Sequence, residues 1–324
     1  METSRTLGAI FPTVGSSAPN CLNVPIGTLS SGGVFAYDPF ELYGAGALQS
    51  PNLVVFGQLG KGKSALVKSF LTRQAHIGRS YFVIDPKGEY AALAAYDGAT
   101  LIQLGGATDA RIDPFVDLAE GRLSAASAFL AINGFYEALT KREPTAMERA
   151  VLREVAGRIR RAGHATSLDD VVDEVSRIEP RRGEDRHAHE AFSRARAEVV
   201  AQLERVRIGE LSTLFGPDRF EGDRAKVVVD CSALYGTEAL PIVVSVLMQR
   251  RINQFRDGRV PNGFVVVDEA WAVLDDPHIA NWFRALWKLA RSFGCANIAI
   301  THRVSDLKVP SSQHRTLGVL ADAE

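Results

Sequence analysis

The stretch that most constrains this chain is Val54-Val55-Phe56-Gly57-Gln58-Leu59-Gly60-Lys61-Gly62-Lys63-Ser64, where an apolar run breaks into glycines and lysines and then resumes as a helix. Its last eight residues satisfy G-x-x-x-x-G-K-[ST] in full, the pattern of a phosphate-binding loop between a strand and a helix. Glycines are needed because the backbone must fold around a phosphate with its N–H groups inward, in dihedrals that a Cβ obstructs. Lys63 supplies positive charge to the β- and γ-phosphates, Ser64 offers a hydroxyl to Mg²⁺, and the helix that follows points its positive end at the anion. The nucleotide-binding set therefore runs through Gly57, Gln58, Leu59, Gly60, Lys61, Gly62, Lys63, Ser64 and Ala65. By average residue usage, four fixed positions match by chance in a chain this long only roughly 1% of the time.

From residue 51 onward the apolar runs share one grammar. "LVVFG", "YFVID", "TLIQL", "KVVVDCS", "FVVVDEA" and "NIAITH" are short, rich in β-branched or aromatic residues, and apolar throughout. Strands buried on both faces look like this, so a mainly parallel sheet covered by helices is expected. About a hundred residues between "RIDPFVDL" and "KVVVDCS" lack a convincing strand and are dense in Ala, Arg, Glu and Leu at helical spacing, which places a helical insertion at about 119–215. Within it "TSLDDVVDEV" reads as a capped helix start. Its charges nearly cancel, which favours a solvated helical surface over a DNA-binding face. Residues 1–50, rich in Gly, Ser and Pro, read as a partly flexible lead-in with one hairpin, and 51–324 as one enlarged α/β domain.

Composition narrows the class further. With 46% hydrophobic residues, 23% charged residues and a net charge of -1, the chain is neither disordered nor coated in basic charge for gripping nucleic acid, although a local stripe lining a pore fits the same total. Cys21, Cys231 and Cys295 are odd in number and far apart, which suits a reducing compartment and indicates neither a disulfide framework nor a zinc site. No stretch reads as a signal peptide or reaches the roughly 18 apolar residues of a membrane span, so any membrane attachment is expected to come through partners.

Three further strand ends carry chemistry. "GFVVVDEAWAVL" delivers Asp268 and Glu269 to the carboxyl end of a strand, where the first can hold Mg²⁺ and the second can polarise an attacking water. "ANIAITHRVSDL" ends in Thr301, His302 and Arg303, polar groups able to hydrogen-bond the γ-phosphate or that water. "YFVIDPKGEYAAL" ends in Asp85-Pro86-Lys87-Gly88-Glu89, either facing the ligand crevice or a neighbouring subunit, or forming a simple Pro and Gly turn. A glutamate next to the magnesium aspartate is typical of RecA-like ATPases, which place an extra strand between the P-loop strand and the acidic strand; ATP is thus favoured over GTP.

The succession "GQLGKGKS", "VIDPKGEY", "RIDPF", helical insertion, "VVVDCS", "VVVDEAW" and "ITHRVSDL" resembles the ATPase domain of conjugative type IV secretion proteins of the VirB and TraC kind, in the FtsK–HerA group of RecA-like P-loop ATPases. The resemblance covers roughly residues 22–310. It implies an α/β RecA-like fold of the ASCE type, with a three-layer αβα build. It further implies ATP and Mg²⁺ as ligands, a catalytic role for Lys63 and Glu269, and Asp268 beside Ser64 at the metal. The glutamine that senses the γ-phosphate in this group is matched here by His302, whose imidazole N–H can make an equivalent bond. Asp113 stands where the family often has Asn before Pro. A hexameric ring is implied too, in which an arginine from the neighbour completes the site; Arg291 is the leading candidate, with Arg284 and Arg303 beside it. Trp282, Leu286, Leu289 and Phe293 read as the apolar face of the helix carrying the first two.

The expected function is an ATP-hydrolysing motor of a conjugation or secretion apparatus, cytoplasmic or held at the inner face of the membrane by membrane proteins of the secretion complex, with DNA or protein as cargo. A HerA- or FtsK-like DNA translocase or helicase is the nearest alternative. A scaffold that only binds ATP is the other. Because only some fifty residues precede the P-loop and the chain stops at "GVLADAE", an excised motor domain is expected.

Overall fold

The computed structural model describes residues 24–30, 32–118, 125–162, 167–180, 186–217, 220, 222–270, 287–288 and 291–301. A short antiparallel hairpin comes first, β1 (Pro25–Thr28) with β2 (Val34–Ala36), as the lead-in predicts. It is followed by α1 (Pro39–Gly44), whose first turn is capped by the buried Asp38 through the N–H groups of Phe40 and Glu41. Arg79 ties this segment to the main body, its guanidinium 3.5 Å from Asp38 and lying over the ring of Phe40.

All six apolar runs are strands of one parallel sheet. In chain order they are β3 (Leu53–Phe56), β4 (Ser80–Asp85), β5 (Thr100–Gln103), β6 (Lys226–Asp230), β7 (Gly263–Val267) and β8 (Cys295–Thr301). Across the sheet the order is β3-β8-β7-β4-β6-β5, with every neighbouring pair parallel. β8 therefore lies between the P-loop strand β3 and the acidic strand β7, the arrangement expected of a RecA-like ATPase.

Alternation within each strand feeds two cores, because successive side chains point to opposite faces. Tyr81 and Val83 of β4 join Val67, Phe70 and Leu71 of α2 (Lys63–His76) and Tyr90, Leu93 and Ala94 around α3 (Ala91–Asp97). Phe82 and Ile84 face the other side, into the larger core shared with the remaining helices. Covering both faces is what lets the strands be apolar throughout, and a three-layer αβα architecture results.

The larger core is built by α4 (Ala125–Thr140), α5 (Ala146–Ala162), α6 (Leu168–Arg177), α7 (Arg186–Arg207) and α8 (Ala239–Arg256). Two backbone links at Ile112 and Phe215 join the chain where the helices α4 to α7 leave and rejoin the sheet: Ile112 N–H donates to the Leu214 carbonyl at 2.9 Å, and Gly216 N–H to that of Ile112 at 3.2 Å. Asp113 adds a side-chain stitch, accepting from the N–H of Phe115 at 2.8 Å and from that of Leu168, at the start of α6, at 3.1 Å. Two acceptor oxygens serve two donors, which explains how Asp serves where the resembling family often carries Asn. Ser167 and Asp170 close a capping box at the same helix start, as "TSLDD" predicts.

The surfaces of these helices carry ion pairs between their own charges, among them Arg158 with Glu154 and Glu174, and Arg207 with Glu204 and Asp173. The near-cancellation of charge in the sequence is thus local. Helix α8 is buried along most of its length, including Arg251. The Arg251 guanidinium donates to the carbonyls of Arg224 (2.8 Å) and Ala225 (3.0 Å) and to Gln254 Oε1 (2.9 Å), and lies against the rings of Phe82 and Phe255. Burial lowers its pKa to about 10, still far above neutrality, so a charged group holds the entry to β6.

Candidate active site

The carboxyl ends of the parallel strands gather the P-loop, Asp85, Lys87, Asp268, Glu269 and Thr301. The P-loop follows β3 directly, and its backbone needs glycine where it turns: Gly60 and Gly62 have φ of 73° and 84°, in the left-handed region. Gly62 also caps α2, so the loop ends as the helix N-terminus begins. A Cβ on Gly57 would stand 3.1 Å from Lys63 Cγ, so the cradle is shaped around the lysine stem. The Lys63 ammonium spans the loop, donating to the carbonyls of Gly57 at 2.7 Å and Gln58 at 3.2 Å. Gln58, Leu59, Lys61 and Ala65 are exposed along it.

Two strands away, β7 presents Asp268 and Glu269, both buried. Asp268 Oδ2 lies 3.4 Å from the Ser64 hydroxyl, while its Oδ1 accepts the Glu269 N–H at 2.8 Å. Glu269 adopts φ of 50°, uncommon for a residue with a Cβ. Its backbone turns sharply out of the strand, and the next N–H, of Ala270, returns to the Ile300 carbonyl of β8 at 3.0 Å.

The loop after β4 supplies residues outside the predicted set. Asp85 folds the loop around itself, accepting the N–H of Lys87 at 3.2 Å and of Tyr90 at 2.8 Å. This fixes Lys87 so that its ammonium forms a hydrogen-bonded ion pair with Glu269 Oε1. Tyr90, fully buried, sits under the ammonium of Lys68 from α2 at 4.7 Å and close to Asp268, yet its hydroxyl makes no hydrogen bond of good geometry. The sequence flagged "VIDPKGEY" as a strand end facing the crevice. It carried no sign that β4 is the neighbour of β7, and that adjacency is what brings Lys87 to Glu269.

Burial raises the pKa of Asp268, partly offset by the Glu269 N–H and by Tyr90, with the charges of Glu269 and Asp85 adding to the rise. Asp85 is raised for the same first reason, against the N–H groups of Tyr90, Glu89 and Lys87, and with the charge of Asp230 adding. For Lys87, burial by itself would lower the pKa, but the hydrogen bond and charge of Glu269 outweigh it and the net shift is upward. Burial is thus the main reason the Asp268 and Asp85 carboxylates resist ionisation, and the neighbouring acidic charges add to it.

The residues present fit a nucleotide's phosphates with Mg²⁺. Ser64 and Asp268 offer hard oxygen donors, and a small divalent cation that keeps its waters and binds phosphate needs no larger protein cage. Among the described residues no group of three or more His, Cys, Asp or Glu side chains gathers into such a cage. Thr301, the last residue of β8 and the register partner of Phe56, is buried with a hydroxyl that lacks a hydrogen-bond partner, an orphaned polar atom at the floor between P-loop and acidic pair.

Of the other expected residues, His302, Arg303 and Arg284 lie outside the described residues, as do Trp282, Leu286 and Leu289. Arg291 precedes β8, at the amino-terminal edge of the sheet, and its guanidinium reaches the Gln49 carbonyl at 3.5 Å. It is therefore not part of its own chain's phosphate site. No helix among the described residues is long and apolar enough to cross a membrane.

A family model described as "Helicase HerA, central domain" matches residues 47–250, which include the P-loop and the Asp85–Tyr90 loop and stop short of Asp268. No curated protein matches the sequence. Among solved structures, VirB4 of Thermoanaerobacter pseudethanolicus is similar with a TM-score of 0.71 and 22% identity, over 92% of this chain and 81% of that one. The bacterial conjugative coupling protein TrwB is similar with a TM-score of 0.54 and 14% identity, over 84% of this chain and 66% of its own. TrwB in complex with ADP and Mg²⁺ has a TM-score of 0.52 at 14% identity, with 84% of this chain and 68% of that one covered. At these identities the likeness establishes the fold.

Proposed function

The chain belongs to the HerA helicase central-domain family, and from that premise we propose that it is an ATP-hydrolysing motor domain of a conjugation or type IV secretion apparatus. Hydrolysis energises transfer of DNA or protein, or assembly of the machine. The observation that carries the reading is the meeting of Ser64 with Asp268 at 3.4 Å, with Glu269 beside them. Backbone N–H groups from Gly57 to Ala65 and the Lys63 ammonium hold the phosphates. Ser64 and Asp268 hold Mg²⁺, which when bound offsets the charge that develops on the β- and γ-oxygens. Glu269 orients the attacking water and accepts its proton. Thr301 ends β8 at the γ-phosphate end, the sensing role falls to His302, the next residue in the chain, and an arginine of a neighbour in a hexameric ring completes the charge balance. The domain works at the cytoplasmic side, held to the membrane by proteins of the complex.

The secretion reading takes its support from likeness of fold to VirB4 and to the conjugative coupling protein TrwB. Family membership favours a second reading, a translocase or helicase acting directly on DNA. Steady-state ATPase measured against chain concentration, with and without DNA, tests both. A rate per chain that climbs with concentration supports an interfacial site, and DNA stimulation that fades with salt favours the translocase. Glu269→Gln is expected to keep ATP binding while kcat falls by about 10²–10⁴-fold. An unchanged rate in that variant would remove Glu269 from the mechanism, and function retained without hydrolysis would make the protein an ATP-bound scaffold.

A further inference from the structure

Lys87 reaches Glu269 from the side of β7 that faces away from the phosphate-loop strand. In the sheet order β3-β8-β7-β4, the phosphate loop follows β3, two positions to one side of β7. Lys87 belongs to the loop after β4, one position to the other side. An ammonium there draws the Glu269 carboxylate away from the strand that carries the phosphates. Two further observations make the arrangement specific. Glu269 is held in the left-handed region at φ of 50°, a conformation that persists only where its surroundings over-determine it. The lysine, for its part, does not reach across from a loose loop, because the backbone N–H groups of Lys87 and Tyr90 are both anchored on the buried Asp85.

We propose that Lys87 is a positioning residue that latches the water-activating Glu269 in a turned-away state, so that the chain at rest binds ATP but hydrolyses it slowly until the pair opens. The proposal rests on the hydrolytic role given to Glu269 above and adds its regulation. The rate then depends on the fraction of chains with the pair open, and anything that engages Lys87 or frees Glu269, such as a neighbouring chain docking on this edge, raises that fraction.

The test is steady-state ATPase on the full chain, with ATP affinity measured separately by a fluorescent analogue. Lys87→Met keeps most of the apolar stem and removes the charge. It is expected to raise kcat by roughly fivefold or more, with KM unchanged. Lys87→Arg restores a cation and should return the rate to that of the parent. Lys87→Gln provides a second neutral side chain should the Met variant fold poorly, and Lys87→Met with Glu269→Gln must abolish the gain. A fall in kcat in both neutral variants, or no change, overturns the latch, and so does ATP binding without hydrolysis in parent and variants alike. A chain that binds no ATP at all overturns the nucleotide reading itself, and the latch with it.

Discussion

The Ser64 hydroxyl and the Asp268 carboxylate stand 3.4 Å apart although 204 positions separate them in the chain. Each is placed by a different device: Ser64 by the first turn of α2, Asp268 by the end of a fully buried strand. If the two share a magnesium ion, Ser64→Ala should leave the fold intact and raise the Mg²⁺ concentration needed for half-maximal ATPase by roughly tenfold, the equivalent of about 1.4 kcal/mol. A magnesium titration at saturating ATP decides it. Identical curves for parent and variant would place the ion elsewhere.

Asp113 joins the sheet to the helical segment through the N–H groups of Phe115 and Leu168. Asp113→Ala leaves buried donors without those acceptors and is expected to destabilise the chain by about 2–4 kcal/mol, read as a lower urea midpoint. Asp113→Asn keeps one acceptor oxygen and should lose about half as much. Equal losses for the two would mean that charge, rather than acceptor count, holds the joint.

Glu148 gives the helical segment a pH dependence. Its buried carboxylate accepts from Arg142 at 2.8 and 2.6 Å, from the Thr145 N–H at 2.7 Å and from the Tyr136 hydroxyl at 2.8 Å. The Arg142 hydrogen bonds are the main cause that lowers its pKa from 4.5 to about 2, against the opposing effect of burial. A carboxylate depressed on folding adds stability above the unfolded value, and that stability is lost as pH falls from about 4.5 towards 2. Arg142 is 41% exposed, so solvent screening limits the contribution to about 1–2 kcal/mol. Thermal melts over this range should show the slope in the parent and a shallower one in Glu148→Gln.

How much of this was legible follows from range. The P-loop is a local pattern of dihedral need and charge, so Gly57–Ser64 could be read from eight consecutive letters, and the six strands from their unbroken apolar runs. Asp268 and Glu269 were legible as a pair at a strand end because the apolar run before them fixes where the strand stops. Ser167 was legible as a helix start because a cap acts within three residues. Lys87 was not, because nothing in "DPKGEY" says which strand lies next to β4. The buried Arg251 was equally silent, since its acceptors are carbonyls of Arg224 and Ala225, which carry no side-chain signature.

The sequence by itself determined that this chain builds a parallel sheet with a phosphate loop after one strand and an acidic pair at the end of another, because burial and turn chemistry act on neighbouring residues. The glutamate beside Asp268 pointed to a RecA-like sheet with a strand between those two; only the tertiary structure decided that this strand is β8 and that β4 flanks the acidic one. Strand order is a choice among packings whose local signals are the same. That choice set Ser64 against Asp268 and turned Glu269 toward Lys87.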